Sequence, residues 1–381
     1  MLRILWLLSH EHAVQTFSVP LDEAIAMGSL EDDPLVFYPM LRILLVKTSS
    51  LGDIVHNLPV VNDILTHFPD AKIDWVVEGS FAALPALHPR IHRVIPIAIR
   101  QWRRNFFSLS TWRAIRQFVS LLRQTSYDII IDSQGLFKSA LVDTLAKKNR
   151  QFFDPVLQRG IHGLDRLSSR EPLGFIYDHL YSVSWSLPAV VRNRSLCAQV
   201  FHYETVPRWN DTQAQEPIDY GLSIPPWPVN LLRPLPEENY CVLLHATSAD
   251  SKLWPEHYWV DLGQQLRTQG LTCVLPWGNE HEKQRSLRLQ SAIADSIVPP
   301  QWDLNALTSV LSGARLVVGV DTGLTHLAAA LKVPTVGIFC ATDPKATGIF
   351  GCPRSMHLGG IGKPPILEAV WKASQHCMSL A

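Results

Sequence analysis

Hydrophobic runs of strand length recur along the chain from Met40 onward, separated by stretches in which apolar residues return every three or four positions. The runs at 41–47, 72–78, 93–98 and 127–132 predict buried strands, and the periodic stretches near 53–66 and 111–124 predict helices between them. A segment dense in proline follows, with Pro217, Pro225, Pro226, Pro228, Pro234 and Pro236, which suits neither a helix nor a central strand. The alternation then restarts: strand 240–246, helix 255–268, strand 271–276, helices 280–294 and 304–313, strand 315–320, helix 323–331 and strand 334–339. Strands alternating with helices build βαβ units, so the expected class is α/β, two doubly wound, Rossmann-like domains facing a central cleft. The expected boundaries are 40–215 for the first domain, 216–238 for a linker and 239–362 for the second domain. Residues 363–381 are expected to form a C-terminal helix packing back on the first domain. Residues 1–39 show no comparable period, so Met40 reads as the native start and the leader as an extension outside the fold.

Composition narrows the class. With 47% hydrophobic and 18% charged residues in 381 the chain can bury full cores, and two domains is the expected count. Lys+Arg and Asp+Glu balance at 34 each, so no global field draws in nucleic acid or an anionic membrane, and any such attraction must be local. The cysteines (Cys197, Cys241, Cys273, Cys340, Cys352, Cys377) show no CxxC spacing and read as reduced thiols. No apolar run reaches the roughly 18 residues of a spanning helix. The short apolar start runs into Ser9-His10-Glu11-His12 with no small-residue cleavage site, which argues against a signal peptide and for a cytoplasmic enzyme.

Candidate chemistry sits in the loops after the predicted strands. Lys47-Thr48-Ser49-Ser50-Leu51-Gly52-Asp53 opens a helix with free backbone N–H groups, which suits an anion or a sugar, but it spells neither GxGxxG nor a Walker A loop. Asp53 reads either as a helix-capping carboxylate, the commoner role at a helix start, or as a general base facing the cleft. In the second domain, Thr247, Ser248 and Lys252 offer two hydroxyls and a cation between a strand end and a helix start, a plausible diphosphate cradle or a solvated capping loop. Asp321-Thr322-Gly323-Leu324-Thr325-His326 repeats the arrangement after the 315–320 strand, with His326 one turn into the helix. Two such loops at adjacent strand ends favour phosphate binding over a capping role. Glu280 and Glu282 follow a third strand end, where either carboxylate can accept ribose hydroxyls or simply start a surface helix. Arg100, Arg103 and Arg104 flank Trp102, followed by Phe106, Phe107, Trp112, Arg113 and Arg116. For the first three arginines this pattern predicts an acidic acceptor, with the aromatics against sugars or acyl chains at a membrane surface; a solvated basic edge is as good a reading for Arg113 and Arg116.

These segments together, with His56-Asn57-Leu58-Pro59, Leu275-Pro276-Trp277-Gly278 and Thr342-Asp343-Pro344, resemble the type I lipopolysaccharide heptosyltransferases of glycosyltransferase family 9, in order over nearly the whole chain from Met40. The resemblance implies a GT-B fold and a metal-independent inverting transfer from ADP-L-glycero-β-D-manno-heptose to Kdo2-lipid A. It further implies a monomer, peripheral on the inner face of the inner membrane, without nucleic acid partners. By position it makes Asp53 the base and Lys252 the group that neutralises departing ADP. Thr247, Ser248, Thr322, Gly323 and His326 would hold the diphosphate, Asp321 would contact the donor, Glu282 the ribose, and Trp302 would stand on the adenine side where the family usually has methionine. Lys47, Arg100, Arg103, Arg104 and, more weakly, Arg170 would bind the acceptor. Ser248 replaces the family's usual second threonine and keeps its hydroxyl, whereas Ala249 and Ser251 lack the usual nearby charge, which bears on donor affinity. The alternatives are a type II heptosyltransferase, whose first loop is typically built around Trp-Val-Gly-Asp, and a GT-B-like sugar-nucleotide epimerase.

Overall fold

The computed structural model describes residues 40–149, 157–204, 217–227 and 239–380; the leader and most of the expected linker lie outside the described residues. The described chain from Met40 folds as one unit built on two parallel sheets.

The first half runs β1 (Arg42–Val46), α1 (Leu51–Val55), α2 (Pro59–His67), β2 (Lys72–Glu78), α3 (Ala83–Ala86), β3 (Arg93–Ile97), α4 (Ile99–Arg104), α5 (Leu109–Leu122), β4 (Ser126–Tyr127), β5 (Ile129–Asp132), α6 (Phe137–Leu145), β6 (Lys147–Lys148), β7 (Gly160–Leu164), β8 (His179–Tyr181) and α7 (Ala189–Phe201). Its main sheet has the order β3-β2-β1-β5-β7-β8, every pair parallel, with Leu45 opposite Trp75 on one side and Ile131 on the other. The stretch expected as one helix near 53–66 is two. Pro59 has no N–H to donate to a continuing helix, so the chain breaks at His56–Leu58 and restarts with the proline in its first turn.

The second half runs β9 (Tyr240–Leu244), α8 (Glu256–Thr268), β10 (Thr272–Val274), α9 (Glu280–Ala292), α10 (Leu304–Ser312), β11 (Leu316–Val320), α11 (Gly323–Ala330), β12 (Thr335–Phe339), α12 (Pro344–Thr347), β13 (Ser355–Gly359) and α13 (Leu367–Ser379). The sheet order β10-β9-β11-β12-β13 is again all parallel. The C-terminal helix does not pack back on the first half as expected. Its buried face, Val370, Ala373 and Cys377, joins the apolar cluster of Leu316, Val318 and Val336, because the outer face of the second sheet would otherwise stay open to water. Trp254 fixes the approach to this helix by donating from Nε1 to Pro365 O at 2.9 Å.

In each sheet the strand order reverses once, between β1 and β5 and between β9 and β11. Crossovers leave such a point to opposite faces and open a crevice at the carboxyl ends of the strands. A continuous apolar cluster joins the halves, from Val60, Val61 and Ile64 to Val310, Leu327 and Ala328. The described part of the proline-rich segment ties to both. Asp219 O accepts from Asn62, and Ser223 N donates to Leu87 O; on the other side Ile218 N donates to Gly351 O, and Tyr220 donates from its hydroxyl to Phe350 O. All six cysteines are free and buried. No helix among the described residues is long and apolar enough to cross a membrane.

Candidate active site

The loops that carry Asp53, Lys252 and Asp321 leave β1, β9 and β11, strands that border the two reversal points. After β1, the chain is held by β5 and its continuation. Lys47, buried, donates to Ser133 O and lies 3.4 Å from Asn193 Oδ1. The Gln134 side chain accepts from the backbone N–H groups of Thr48 and Ser49 at 3.0 and 3.1 Å, and Lys138 donates to Ser49 Oγ at 2.6 Å. Gln134 is itself fixed by Asp132, whose Oδ1 accepts from Gln134 N and Gly135 N while Oδ2 accepts from Ser139 and Tyr177. Burial pushes the Asp132 pKa up against these hydrogen bonds. Asp143, fully buried beside it, is pushed well above the carboxylate range, first by burial and then by the charge on Asp132.

Asp53 takes the capping position its spacing allowed, and it also faces a cavity. It is the third residue of α1, and its Oδ2 accepts from the Ser50 N–H at 2.7 Å and from the Ser50 hydroxyl at 2.9 Å, so it caps the helix. It also lines a cavity of about 150 Å³ with Lys47, Arg170, Arg192 and Asn193. Burial works against its charge, but the nearby Lys47 ammonium and the two Ser50 hydrogen bonds outweigh burial and hold the carboxyl below its usual range. Asp53 is therefore ionised at neutral pH. Lys47 has the complementary problem: burial pulls its pKa down, and Asp53 and Asp132 oppose the pull.

The sequence-predicted acceptor arginines separate. Arg170 faces the cavity with Asp53. Arg100 starts α4 beside the sheet end, its N–H 3.3 Å from Glu78 Oε1 and its guanidinium 5.8 Å from the Phe81 ring, while Arg103 and Arg104 continue along α4 into solvent. Arg192, Lys138 and Gln134 were not anticipated, because the segment that carries them showed no clear period. Arg192 lies 3.5 Å over the Trp185 ring and donates to Ser168 O; burial, then Arg170, lowers its pKa to about 10.

On the other side of the crevice the site centres on Asp321, at the end of β11. Its Oδ2 accepts from Lys252 at 2.7 Å and from the Thr342 hydroxyl at 2.6 Å; Oδ1 lies 3.2 Å from His326 Nε2, and its backbone oxygen accepts from Thr247 Oγ1 at 3.3 Å. Although burial opposes ionisation, His326, Lys252 and Thr342 hold the Asp321 pKa far below the ordinary range. Lys252 and His326 are thus held by a carboxylate as well as facing the helix start. Thr322 is the extended residue before α11, and Ser248 stands exposed on the β9 loop. Glu282 both starts α9 and closes its own loop: its carboxylate accepts from Gly278 N at 2.7 Å and from Asn279 Nδ2 at 2.9 Å. The neighbouring 299–302 loop carries half-buried Trp302 and is tied back by Trp277 Nε1 to Pro299 O and by Gln301 to Gly278 O.

The two sides meet at two glycines. The N-terminal turns of α1 and α11 pack so closely that a methyl group added at Gly323 would lie 2.5 Å from Leu51 Cβ and 2.8 Å from Gly52 N, and one added at Gly52 would lie 3.3 Å from the His326 ring. His56 stands edge-on to His326 with ring centroids 4.6 Å apart, and burial, then the neighbouring His326, drops its pKa to about 3, so it is neutral. Helix N-termini from opposite halves therefore converge on one spot. Asp53 stands on one, and the Lys252–Asp321–His326 cluster on the other.

The family model for glycosyltransferase family 9 (heptosyltransferase) matches residues 115–364. Lipopolysaccharide heptosyltransferase 1 of Pseudomonas aeruginosa is 42% identical over 320 residues, 84% of each chain, and that of Escherichia coli K12 is 38% identical over 315 residues, 82% of this chain and 91% of its own. The solved E. coli heptosyltransferase WaaC with ADP superposes with a TM-score of 0.75 at 36% identity, covering 88% of this chain and all of its own. On this sequence and structural agreement, the chain belongs to glycosyltransferase family 9, the heptosyltransferases.

Proposed function

We propose that this chain moves L-glycero-D-manno-heptose from ADP-L-glycero-β-D-manno-heptose to a hydroxyl of Kdo in Kdo2-lipid A, with inversion at the anomeric carbon. The observation that carries the reading is the convergence of Asp53 and the Lys252–Asp321–His326 cluster across the Gly52–Gly323 contact. Relatives support the donor and the pathway: the WaaC structures hold ADP and ADP-2-deoxy-2-fluoro heptose, and the relatives at 42% and 38% identity are type 1 enzymes. Type 2 relatives match at 22% and 20%.

In this reading the Kdo hydroxyl oxygen attacks the anomeric carbon as the bond to the ADP oxygen breaks. The hydroxyl proton passes to Asp53, and the electron pair leaves with the diphosphate. Asp53 is a weak base because Lys47 and Ser50 stabilise its charge, but the oxygen grows acidic only as the new bond forms, so a late proton transfer to an ionised carboxylate is sufficient. On the leaving side, Lys252 and the N–H groups of Thr322 and Gly323 receive the negative charge, with Thr247, Ser248 and His326 as further donors. We assign no metal ion to this step. In the same reading Glu282 contacts the ribose and Trp302 the adenine side, while Lys47, Arg100, Arg103, Arg104 and Arg170 serve the anionic acceptor. The enzyme works at the inner face of the inner membrane, where its lipid acceptor is exposed.

The test is incubation with ADP-heptose and Kdo2-lipid A, following heptosylated product by mass spectrometry. Product is expected from the native chain, and Asp53→Asn is expected to lose at least about a hundredfold in kcat with ADP affinity largely kept. Product only with an already heptosylated acceptor would move the assignment to type II.

A further inference from the structure

The α4–α5 hairpin has a composition unlike the rest of this balanced chain. No Asp or Glu occurs between Glu78 and Asp128, whereas Arg100, Arg103, Arg104, Arg113, Arg116 and Arg123 all fall in or just after the hairpin. Its base is anchored: half-buried Trp102 packs on buried Phe118 with ring centroids 5.7 Å apart, and Thr111 and Leu122 are buried. Its tip is not. Phe107 is 96% exposed and Leu109 84%, with Phe106 and Trp112 each nearly half exposed beside them. Phe106 holds the group together, edge-on to both Phe107 and Trp112 at 5.7 and 5.1 Å. Arg113 and Arg116 point to solvent on the same outward stripe of α5 as Leu109 and Trp112, because positions three, four and seven apart share a helix face.

We propose that this hairpin is a membrane-docking surface, in which Phe107, Leu109 and their aromatic neighbours enter the interfacial layer of a bilayer and Arg113, Arg116 and Arg123 bind its anionic headgroups. A helix with exposed aromatics on an all-basic face is built to lie in that layer, where apolar tips leave water and arginine forks meet phosphate. An acidic protein would satisfy the arginines but would give Phe107 and Leu109 no reason to stand in water. The placement also suits a lipid-linked acceptor. Arg100, at the hairpin base, has its N–H 3.3 Å from Glu78 Oε1, and the Glu78 N–H donates to Thr48 O at 3.0 Å, so the base adjoins the proposed catalytic loop. The proposal thus rests in part on the heptosyltransferase reading, since it gives the acceptor's lipid a place to sit while its sugar reaches Asp53.

Vesicle flotation tests the surface without donor or acceptor. The native chain is expected to float with vesicles of phosphatidylethanolamine and phosphatidylglycerol, less so at high salt, and weakly with phosphatidylcholine alone. Phe107→Ser with Leu109→Ser is expected to cut binding to both vesicle types by about tenfold or more, and Arg113→Glu with Arg116→Glu to abolish the preference for the anionic ones. These side chains are exposed, so the variants are expected to melt with the native chain, and the serine pair to retain native turnover on a deacylated, water-soluble acceptor. Failure of the native chain to float, or native binding by the serine pair, overturns the docking surface. Floatation that depends on these residues, with no transfer to either acceptor, overturns the heptosyltransferase reading and leaves the docking surface standing.

Discussion

Replacing Gly323 by alanine probes whether catalysis needs the two helix starts to touch. The added methyl would stand 2.5 Å from Leu51 Cβ, where ordinary carbon contacts begin near 3.5 Å, and 2.8 Å from Gly52 N, a backbone atom that cannot rotate away. Relief therefore requires α1 and α11 to part by about 1 Å, at an overpacking cost of about 1–3 kcal/mol. Alanine keeps the Gly323 N–H and needs no unusual backbone angle here, so the proposed diphosphate donors survive the change. What moves is Asp53 relative to the donor sugar. A displacement of about 1 Å in a reacting pair costs about a hundredfold in rate, so kcat is expected to fall by about that factor while ADP affinity, read by calorimetry, changes far less. Gly360, where an added methyl meets nothing, supplies the matched control. If Gly323→Ala turned over within about threefold of the native chain, the contact would not be the catalytic register argued here.

Two further outcomes follow from the charges. Lys252→Ala leaves Asp321 with His326 and Thr342 as side-chain partners and removes the cation proposed for the leaving group, so kcat is expected to fall about a hundredfold or more in steady-state transfer; unchanged turnover would remove Lys252 from that role. Burial pushes His56 and His245 down to about 3 and His162 to about 4, so the unfolded chain takes up protons that the folded one refuses between those values and about 6.5. Their stabilisation is thus fully present above about pH 6.5 and lost as pH falls, by about 2 kcal/mol per histidine at pH 5, with the raised Asp132 and Asp143 working in the opposite direction. Tm is expected to drop less between pH 7.5 and 5 in His245→Gln, whose amide can keep the Ser286 hydrogen bond, than in the native chain; an unchanged drop would refute the assignment.

The sequence patterns that proved legible were those in which a strand is buried on both faces or a helix carries an uninterrupted apolar stripe. Every strand expected before Asp132 and after Asn239 has its counterpart in the two sheets. Between Ser133 and Glu204 the sequence shows no such pattern, and the reasons are local. β7 reads Gly-Ile-His-Gly-Leu, with two glycines and a buried histidine, and β8 is three residues long. α7 buries one face, but Arg192 and Arg194 interrupt it, one stacked on Trp185 and the other forked on Asp63 at 2.7 and 2.9 Å. α6 hides an aspartate, Asp143, where a leucine would have shown the period. The site was legible to the same extent. Loops after recognisable strands revealed Asp53, Lys252, Asp321 and Thr322, whereas Gln134, Lys138 and Arg192 lay in the unassigned stretch. The Gly52–Gly323 contact is tertiary and leaves no trace in either loop's spelling.

The charges around Asp53 bear on which acceptor the cavity suits. Lys47 is buried with its charge supported by Asp53 and Asp132, so these three groups hold one another. Were the acceptor neutral here, Arg170 and Arg192 would face the same cavity with like charges and no ligand to balance them, an arrangement that already depresses the Arg192 pKa. A sugar bearing a carboxylate removes that repulsion, since a guanidinium fork binds it bidentately, and it sets a hydroxyl beside Asp53 without placing its own charge there. Asp53 stays ionised because Lys47 stays with it, and in the proposed reading the acceptor's carboxylate would be met by Arg170 and Arg192. Under the proposed function this division suits Kdo better than a plain heptose, because only Kdo brings a carboxylate to Arg170 and Arg192.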